Sequence, residues 1–337
     1  MPTKRQQQLI DALAAHGNST AAAKALGISA STLRGGLSRL RKRGLVVEPT
    51  LHVEPAPPVD EPLEELLARK RAHVERALKH EDWAKLIPVR VRDDRPIGLL
   101  IVGDPHLDDD YCDIQQIQTD LTTVGRTEGF YAGHLGDATN NWVGRLKALY
   151  ANQSTRFNDG LRLAQWMFDL CPNLFVVGGN HDRWEKGMDL LRFIVRQNEI
   201  LQPHGVRMAL NFPSGLQLRI HARHDFPGKS QYSDTHGMKR EILFGHRDDI
   251  LVAGHTHVDE ARIEPSIDGQ VHHFYRVSGY KIIDDFAKEN GFRPKRMGAA
   301  VTLVINPASR VRADIVKPFW DTEAAADFLT YLRNRKC

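Results

Sequence analysis

Residues 97–106 read IGLLIVGDPH, and this stretch decides the fold. The apolar run 97–102, closed by Gly103, is the pattern of a buried strand. Asp104 and His106 follow at once, so the predicted strand ends in two potential metal ligands. The same pattern recurs three times, with an apolar run, a glycine and then polar side chains, at 130–137, 174–182 and 250–257.

Helical patterns separate these predicted strands, for example at 161–170 and 188–197. Strands that alternate with helices and carry polar groups at one end predict an α/β layered fold with a site along the edge of the sheet. Late strands are expected at 272–277, 300–305 and 313–316.

Five short motifs stand in order along the chain: DPH at 104–106, GD at 136–137, GNHD at 179–182, a histidine near position 224, and GHTH at 254–257. This series resembles the signature of the calcineurin-like metallophosphoesterase superfamily over about residues 97–310. The resemblance implies an α/β fold in which a two-sheet β-sandwich is flanked by helices.

The resemblance also implies two divalent metal ions. Asp104, His106 and His257 would hold the first ion, Asn180, His255 and one further histidine would hold the second, and Asp137 would bridge both. Carboxylate and imidazole ligands suit Mn²⁺, which we expect, and also Fe or Zn²⁺. Metals about 3.5–4 Å apart can share a water, lower its pKa and clamp the oxygens of a phosphate.

The further histidine has to be chosen among three candidates. In the alternating run 216–224, His224 shares a face with the apolar residues Leu218 and Ile220, so it is favoured. His221 would point the other way, and both His221 and His236 remain alternatives.

Three more residues are candidates for the chemistry itself. In the family, the histidine at the position of His181 lies beside the scissile phosphate, which implies a general acid or a stabiliser of transition-state charge. Asp182 could orient that imidazole. Asn140, three residues after Asp137, is a candidate phosphate contact.

The first 47 residues predict a small all-α domain with helices at 5–16, 19–26 and 30–41. Gly27 would allow a tight turn between the last two, and Ser19 or Thr20 would cap the second helix. The arrangement resembles a helix-turn-helix unit. Gly35 and Gly36 disfavour helix by about 1–2 kcal/mol together, so the third helix is expected to end early or to kink.

Charge is concentrated in this N-terminal segment. It carries eight Lys and Arg residues against one Asp, a net +7, so the rest of the chain is at −3 within a total of +4. A compact basic segment favours nucleic acid, whereas a bundle that binds another protein is the alternative. The DNA-binding candidates are Arg34, Arg39, Arg41, Lys42 and Arg43.

The predicted organisation is a helix-turn-helix-like domain (1–47), a proline-rich linker (48–62), a bridging helix (63–94), a catalytic domain (95–320) and a C-terminal helix (321–337). No run of 18 apolar residues and no leader-like segment occurs, so neither a membrane span nor a signal peptide is expected. Three scattered cysteines favour a reducing compartment, hence the cytoplasm, or the host cytoplasm for a phage-encoded chain.

The predicted function is hydrolysis of phosphodiester bonds, in DNA, by an exo- or endonuclease that uses a hydroxide bridging two metals, with His181 assisting the leaving group. The basic N-terminal unit and the DPHL sequence, which resembles the double-strand-break repair nucleases of the superfamily, favour DNA. In overall pattern the chain resembles phosphoesterases encoded by bacteriophages and prophages. The alternatives are a phosphomonoesterase or small-nucleotide phosphodiesterase with a regulatory N-terminal unit, and a DNA-binding regulator with a relict metal fold. The −3 charge outside the N-terminal segment disfavours a nuclease unless basic residues cluster around the site.

Overall fold

A computed structural model describes residues 2–45, 60–184, 189–195, 200–266, 269–282 and 297–335. The chain divides into two units, Met1–Val74 and Glu75–Cys337. Most of the proline-rich linker expected at 48–62 lies outside the described residues.

The N-terminal unit is helical. Its elements are α1 (Lys4–His16), α2 (Ser19–Ala25), α3 (Ala30–Arg41) and the first part of α4 (Leu63–Ala84). The core between α1, α2 and α3 is small and contains Ala22, Ala23, Leu33 and Leu37. Gly27 has a φ of +63°, so the expected tight turn between α2 and α3 is present.

Two details of this unit differ from the sequence prediction. Asn18, rather than Ser19 or Thr20, caps α2, because its side chain accepts hydrogen bonds from the amides of Thr20 and Ala21. The third helix also continues through both glycines to Arg41.

The reason for the second difference lies in packing. Gly36 is buried, and a Cβ at this position would stand 2.7 Å from Leu9 Cδ1. Glycine here lets α1 and α3 approach closely, and the contact offsets the poor helix propensity.

The second unit contains two six-stranded sheets. One sheet has the order β1-β6-β7-β8-β10-β9 and the other has the order β12-β11-β2-β3-β4-β5. The strands are β1 (Ile87–Arg90), β2 (Ile97–Val102), β3 (Phe130–His134), β4 (Asn173–Val177), β5 (Ile200–Gln202), β6 (Gly205–Asn211), β7 (Gln217–Arg223), β8 (Ile250–Ala253), β9 (Glu260–Pro265), β10 (Val271–Arg276), β11 (Val301–Ile305) and β12 (Val316–Phe319).

Helices flank the sheets. They are α5 (Ile114–Arg126), α6 (Phe157–Asp169), α7 (Asn180–Arg183), α8 (Asp189–Ile194), α9 (His236–Phe244) and α10 (Thr322–Asn334), with 3₁₀ helices at Gly144–Asn152 and Arg312–Asp314. No helix in the described ranges is long and apolar enough to cross a membrane.

The core has three layers of apolar contact. Side chains of both sheets meet in the middle, among them Ile101, Phe175, Ile220 and Tyr275. The outer face of the β2 sheet packs against α5, α6 and α10, and the outer face of the β8 sheet packs against α9. The predicted class, a two-sheet sandwich flanked by helices, is therefore confirmed.

The bounds of some elements differ from those predicted from the sequence. The range 63–94 holds both α4 and the short strand β1, which pairs in parallel with β6. The last strand begins at Val316, three residues after the predicted start, because Arg312–Asp314 forms a 3₁₀ turn.

Candidate metal centre

The strand ends bring the predicted ligands together. β2, β3 and β4 are parallel neighbours, so the segments that follow them meet at one edge of their sheet. In the facing sheet, β7 and β8 are also parallel neighbours and end beside one another. These five ends carry Asp104, His106, Asp137, Asn180, His224, His255 and His257.

The backbone at these ends is strained. Among the described residues, six that are not glycine have positive φ angles of +41° to +71°, and five of these six are predicted ligands: Asp104, His106, Asp137, His255 and His257. The sixth is Asn141. Such residues are stable only where surrounding contacts enforce the conformation, and they cluster at functional sites.

At two glycines the backbone lies in close contact with the carboxylates of Asp137 and Asp104. A Cβ at Gly179 would lie 2.0 Å from Asp137 Oδ1, and a Cβ at Gly254 would lie 2.1 Å from Asp104 Oδ2. Only glycine fits at these two positions, which explains the glycine in two of the motifs.

One group of ligand atoms surrounds His224 Nε2. Asn180 Oδ1 is 2.9 Å away, His255 Nδ1 is 3.0 Å away and Asp137 Oδ2 is 3.3 Å away. His224 Nδ1 interacts with the Leu135 carbonyl oxygen at 2.8 Å, so Nδ1 is the protonated nitrogen.

This geometry fits a cation. With Nδ1 protonated, neutral His224 presents a lone pair at Nε2 to two oxygen atoms that can only accept, Asp137 Oδ2 and Asn180 Oδ1. The lone pairs of these three atoms repel one another unless a proton or a metal ion lies between them. Although burial opposes protonation, Asp104 and Asp137 raise the pKa of His224 to about 9. Asp104, Asp137, His224 and His255 form one group whose ligand atoms could hold a metal.

A second group consists of Asp104, His106 and His257. Asp104 Oδ1 and His106 Nδ1 are buried and make no hydrogen bond within the described structure. The imidazoles of His106 and His257 stack with centroids 5.3 Å apart. Burial lowers the pKa of His106 well below its usual value, which keeps the ring neutral, the form in which histidine binds metal. The donor set of both groups therefore suits divalent transition metals.

His181 belongs to a third group that could hold a metal, together with His106 and Asp137. Its Nε2 is 3.8 Å from Asp137 Oδ2, and its centroid is 5.0 Å from that of His106. Its Nδ1 is hydrogen-bonded to the Asn140 carbonyl oxygen at 2.5 Å, so Nε2 faces the carboxylate.

Asp182 has a different position from the one expected. Its Oδ2 accepts hydrogen bonds from the amides of Asp137 (2.6 Å) and Gly179 (2.8 Å), and its Oδ1 accepts one from Ala138 (3.3 Å). Burial and the nearby Asp137 raise the pKa of Asp182 to about 7. The carboxylate thus clamps two of the site's loops, and the Asn140 carbonyl, not Asp182, orients His181.

Asn140 also contributes mainly through its backbone. Its amide donates to Asp108 Oδ1 at 2.6 Å, and its side-chain nitrogen makes only long contacts, 3.5 Å to Asp109 and 3.4 Å to Gln153. The geometry assigns Asn140 to the support of His181, and a direct phosphate contact stays a prediction.

Sequence reasoning missed two tryptophans and an arginine. Trp142 and Trp184 contact the His181 ring, with centroids at 5.3 Å and 4.1 Å. Buried Arg276 holds the GHTH loop through the Gly254 carbonyl and Thr256 Oγ1, and it pairs with Asp225 at 2.8 Å. No motif marks these residues; only the nearness of Trp184 to GNHD along the chain was a signal.

The alternative histidines lie elsewhere. His221 is buried on the opposite face of β7, 3.7 Å from Asp248 and 3.8 Å from Glu241. His236 is exposed at the start of α9. In the N-terminal unit, the DNA-binding candidates Arg34, Arg39, Arg41, Lys42 and Arg43 are all exposed on α3 or directly after it.

Comparison with known proteins gives one family match, to the bacterial regulatory proteins of the Fis family, a helix-turn-helix model that covers residues 6–38. The helix-turn-helix part of the fold prediction is thus confirmed. No curated protein matches the chain.

Among solved structures, similar ones include a predicted phosphoesterase from Streptococcus pneumoniae (14% identity, 67% of this chain, 98% of that chain, TM-score 0.29). A metallophosphoesterase from Sphaerobacter thermophilus has 14% identity over 63% of this chain and 84% of its own, with a TM-score of 0.32. Vps29 from Entamoeba histolytica, complexed with Zn²⁺, has 15% identity over 66% of this chain and 97% of its own, with a TM-score of 0.30.

Proposed function

We propose that the chain is a two-metal phosphodiesterase that hydrolyses DNA, as an exo- or endonuclease. The observation that carries the proposal is the convergence of seven candidate metal-ligand side chains at five strand ends, with His181 beside them. The alternative reading as a relict fold is disfavoured because every member of the ligand set is present and drawn together.

The proposed ligand sets draw on these groups, in which Asp137 lies both with His224 and His255 and with His106. Asp104, His106 and His257 would hold one ion, and Asn180, His224 and His255 the other. Asp137 is the proposed bridging ligand. Two such ions, when bound, neutralise phosphate charge and make a water nucleophilic at neutral pH. We expect Mn²⁺, with Fe or Zn²⁺ as alternatives.

His181 is the proposed general acid. Because Nδ1 donates to the Asn140 carbonyl oxygen, the proton available to a substrate is the one on Nε2. Transfer of that proton to the departing oxygen would spare the formation of a free alkoxide.

DNA as the substrate is supported by the N-terminal unit. The Fis-type match and the exposed basic residues of α3 suit phosphate and groove contacts. A catalytic unit linked to a DNA-binding unit acts at a raised local concentration of its substrate, so the catalytic unit itself needs little affinity.

The second candidate is a phosphomonoesterase or small-nucleotide phosphodiesterase with a regulatory N-terminal unit. The net −3 beyond residue 47 lies in residues 48–74, and residues 75–337 are neutral, with 35 Lys and Arg against 35 Asp and Glu. The second candidate is favoured because the catalytic unit has no overall positive charge that would attract a long polyanion.

Mn²⁺-dependent hydrolysis of three substrates by the full chain separates the candidates: DNA, a chromogenic phosphodiester and a chromogenic phosphomonoester. The proposal predicts degradation of DNA and of the diester, both lost in His181→Ala. Turnover of the monoester with intact DNA would overturn it in favour of the second candidate.

A further inference from the structure

The two tryptophans at the candidate site do not serve the core. Trp166 and Trp320 pack against the hydrophobic clusters of the sheets, whereas Trp142 and Trp184 contact each other and His181. Their ring centroids are 6.4 Å apart with 33° between the planes. Both indoles remain partly exposed, so they form an aromatic surface next to the proposed general acid.

The orientation of Trp142 is fixed by its polar atoms. Its backbone amide donates to the Tyr150 hydroxyl at 3.1 Å, and its indole Nε1 donates to Gln153 Oε1 at 3.0 Å. Since Gln153 Nε2 in turn donates to the Thr155 carbonyl oxygen at 2.9 Å, the ring is held in place before any ligand binds. A fixed aromatic surface loses little conformational entropy when a flat ligand stacks on it.

The chain beside this surface is basic. Residues 142–156 contain Arg145, Lys147 and Arg156 and no acidic residue, and all three basic side chains are exposed. The Tyr150 contact folds the 3₁₀ helix Gly144–Asn152, which bears Arg145 and Lys147, back onto Trp142. The exposed segment beside the aromatic surface therefore carries three positive charges, with Asp110 in contact at Ser154, within a unit (residues 75–337) that has no net charge.

Aromatic rings beside basic side chains are the combination that binds single-stranded nucleic acid, because bases stack on the rings and phosphates pair with the cations. We propose that Trp142 and Trp184 form a stacking subsite for an unpaired base next to the scissile phosphate, and that Arg145 and Lys147 contact the neighbouring phosphates. This inference rests on the proposed phosphodiesterase function and narrows the substrate to a single strand or a frayed end. The two indoles are specificity residues, distinct from the ligand set.

The test compares a fluorescent oligothymidylate with an abasic strand of equal length, which keeps the phosphates and lacks the bases. The full-length protein in Mn²⁺ is assayed as wild type, Trp142→Leu, Trp184→Leu and Trp83→Leu. Trp83 is the matched control, because it is 45% exposed on α4 and touches only the His80 ring among the aromatic contacts of the described residues.

Each site variant is expected to raise KM for oligothymidylate about tenfold, with kcat within about twofold, which corresponds to about 1.4 kcal/mol and lies within the usual range for one stacked base. KM for the abasic strand should stay unchanged in these variants, and Trp83→Leu should match the wild type on both strands. Trp142→Phe and Trp184→Phe should recover most of the lost affinity.

An equal rise in KM for both strands would overturn the proposed stacking subsite and would show that the indoles support His181 instead. Unchanged KM in all variants would also overturn it. If the proposed phosphodiesterase function itself is wrong, the result differs from both of these: the wild type would cleave neither strand nor bis(p-nitrophenyl) phosphate.

Discussion

Gly179→Ala tests whether the close approach of the backbone to Asp137 positions the candidate metal centre. The added Cβ would lie 2.0 Å from Asp137 Oδ1, 2.5 Å from the Asp137 amide nitrogen and 2.6 Å from Asp137 Cγ. Real Cβ contacts rarely fall below 3.0 Å, so the carboxylate has to retreat by about 1 Å. The φ of −78° at Gly179 suits alanine, so crowding is the whole effect.

The magnitude follows from two opposing contributions. Overpacking a tight site lowers the free energy of unfolding by about 1–3 kcal/mol. Replacing glycine with alanine raises it by about 0.4–1 kcal/mol, because alanine restricts the unfolded chain. The net loss of about 1–2 kcal/mol corresponds to a fall in Tm of about 2–8 °C. A 1 Å displacement at a catalytic centre can cost about 10²-fold in rate, so the activity should fall far more than the stability.

The assay pairs thermal unfolding with hydrolysis of a chromogenic diester across a Mn²⁺ titration. Gly35→Ala is the control, because its Cβ would meet nothing within 4 Å and it lies in a helix. It should leave hydrolysis unchanged. Wild-type Mn²⁺ affinity and wild-type rate in Gly179→Ala would refute the reasoning that this glycine positions Asp137.

Three further predictions concern separate parts of the chain. His181→Ala should retain its metals, measured by elemental analysis, but lose rate most on diesters with poor leaving groups; loss of metal instead would show that His181 is a ligand. Deletion of residues 1–62 should spare turnover of a small diester, weaken DNA cleavage most at low salt and make that cleavage less dependent on salt, because fewer phosphates are contacted; equal DNA cleavage at all salt concentrations would remove the tethering role. Burial lowers the pKa of His134 from 6.5 to about 4, so the unfolded chain takes up a proton below pH 6.5 that the folded chain refuses, and the free energy of unfolding falls as pH drops from 6.5 to 4. His134→Gln should make that fall shallower by about one proton in denaturant titrations, and an unchanged slope would contradict a neutral buried His134.

Much of the fold could be predicted because the three strands of the β2 sheet near the site are mostly apolar and each is followed by a glycine within two residues. The strand ending before Asp104 has the predicted bounds, Ile97–Val102, and the strand before GHTH has them as well. Elements with a weaker hydrophobic pattern have bounds that differ from the predicted ones. Strand β12 begins three residues late, because a 3₁₀ turn that hydrophobic periodicity does not mark precedes it.

Apart from the Asn18 cap, the local corrections share one cause, which is contact between residues distant in sequence. The buried glycine in α3 is explained by Leu9 on another helix, and the orientation of His181 is explained by a carbonyl 41 residues away. Likewise, Asp182 reaches back 45 residues to the amide of Asp137. Motif reading places residues along the chain, whereas these roles depend on which loops the sandwich brings together.

The aromatic surface beside His181 is a second feature that the sequence motifs do not predict. Trp142 lies five residues after Asp137 and Trp184 lies two residues after the GNHD motif, yet neither position belongs to a motif. Their contact with each other and with His181 follows from the packing of two loops.

The most direct test of the central claim is the Mn²⁺ content of Asp137→Asn, measured together with its hydrolysis of a chromogenic diester. The matched control is Asp159→Asn, which removes an exposed carboxylate on α6. If Asp137 bridges two metals, the wild type and the control hold two Mn²⁺ per chain and hydrolyse the diester, while Asp137→Asn holds fewer and loses hydrolysis. An Asp137→Asn enzyme with full metal content and undiminished hydrolysis would contradict the two-metal account.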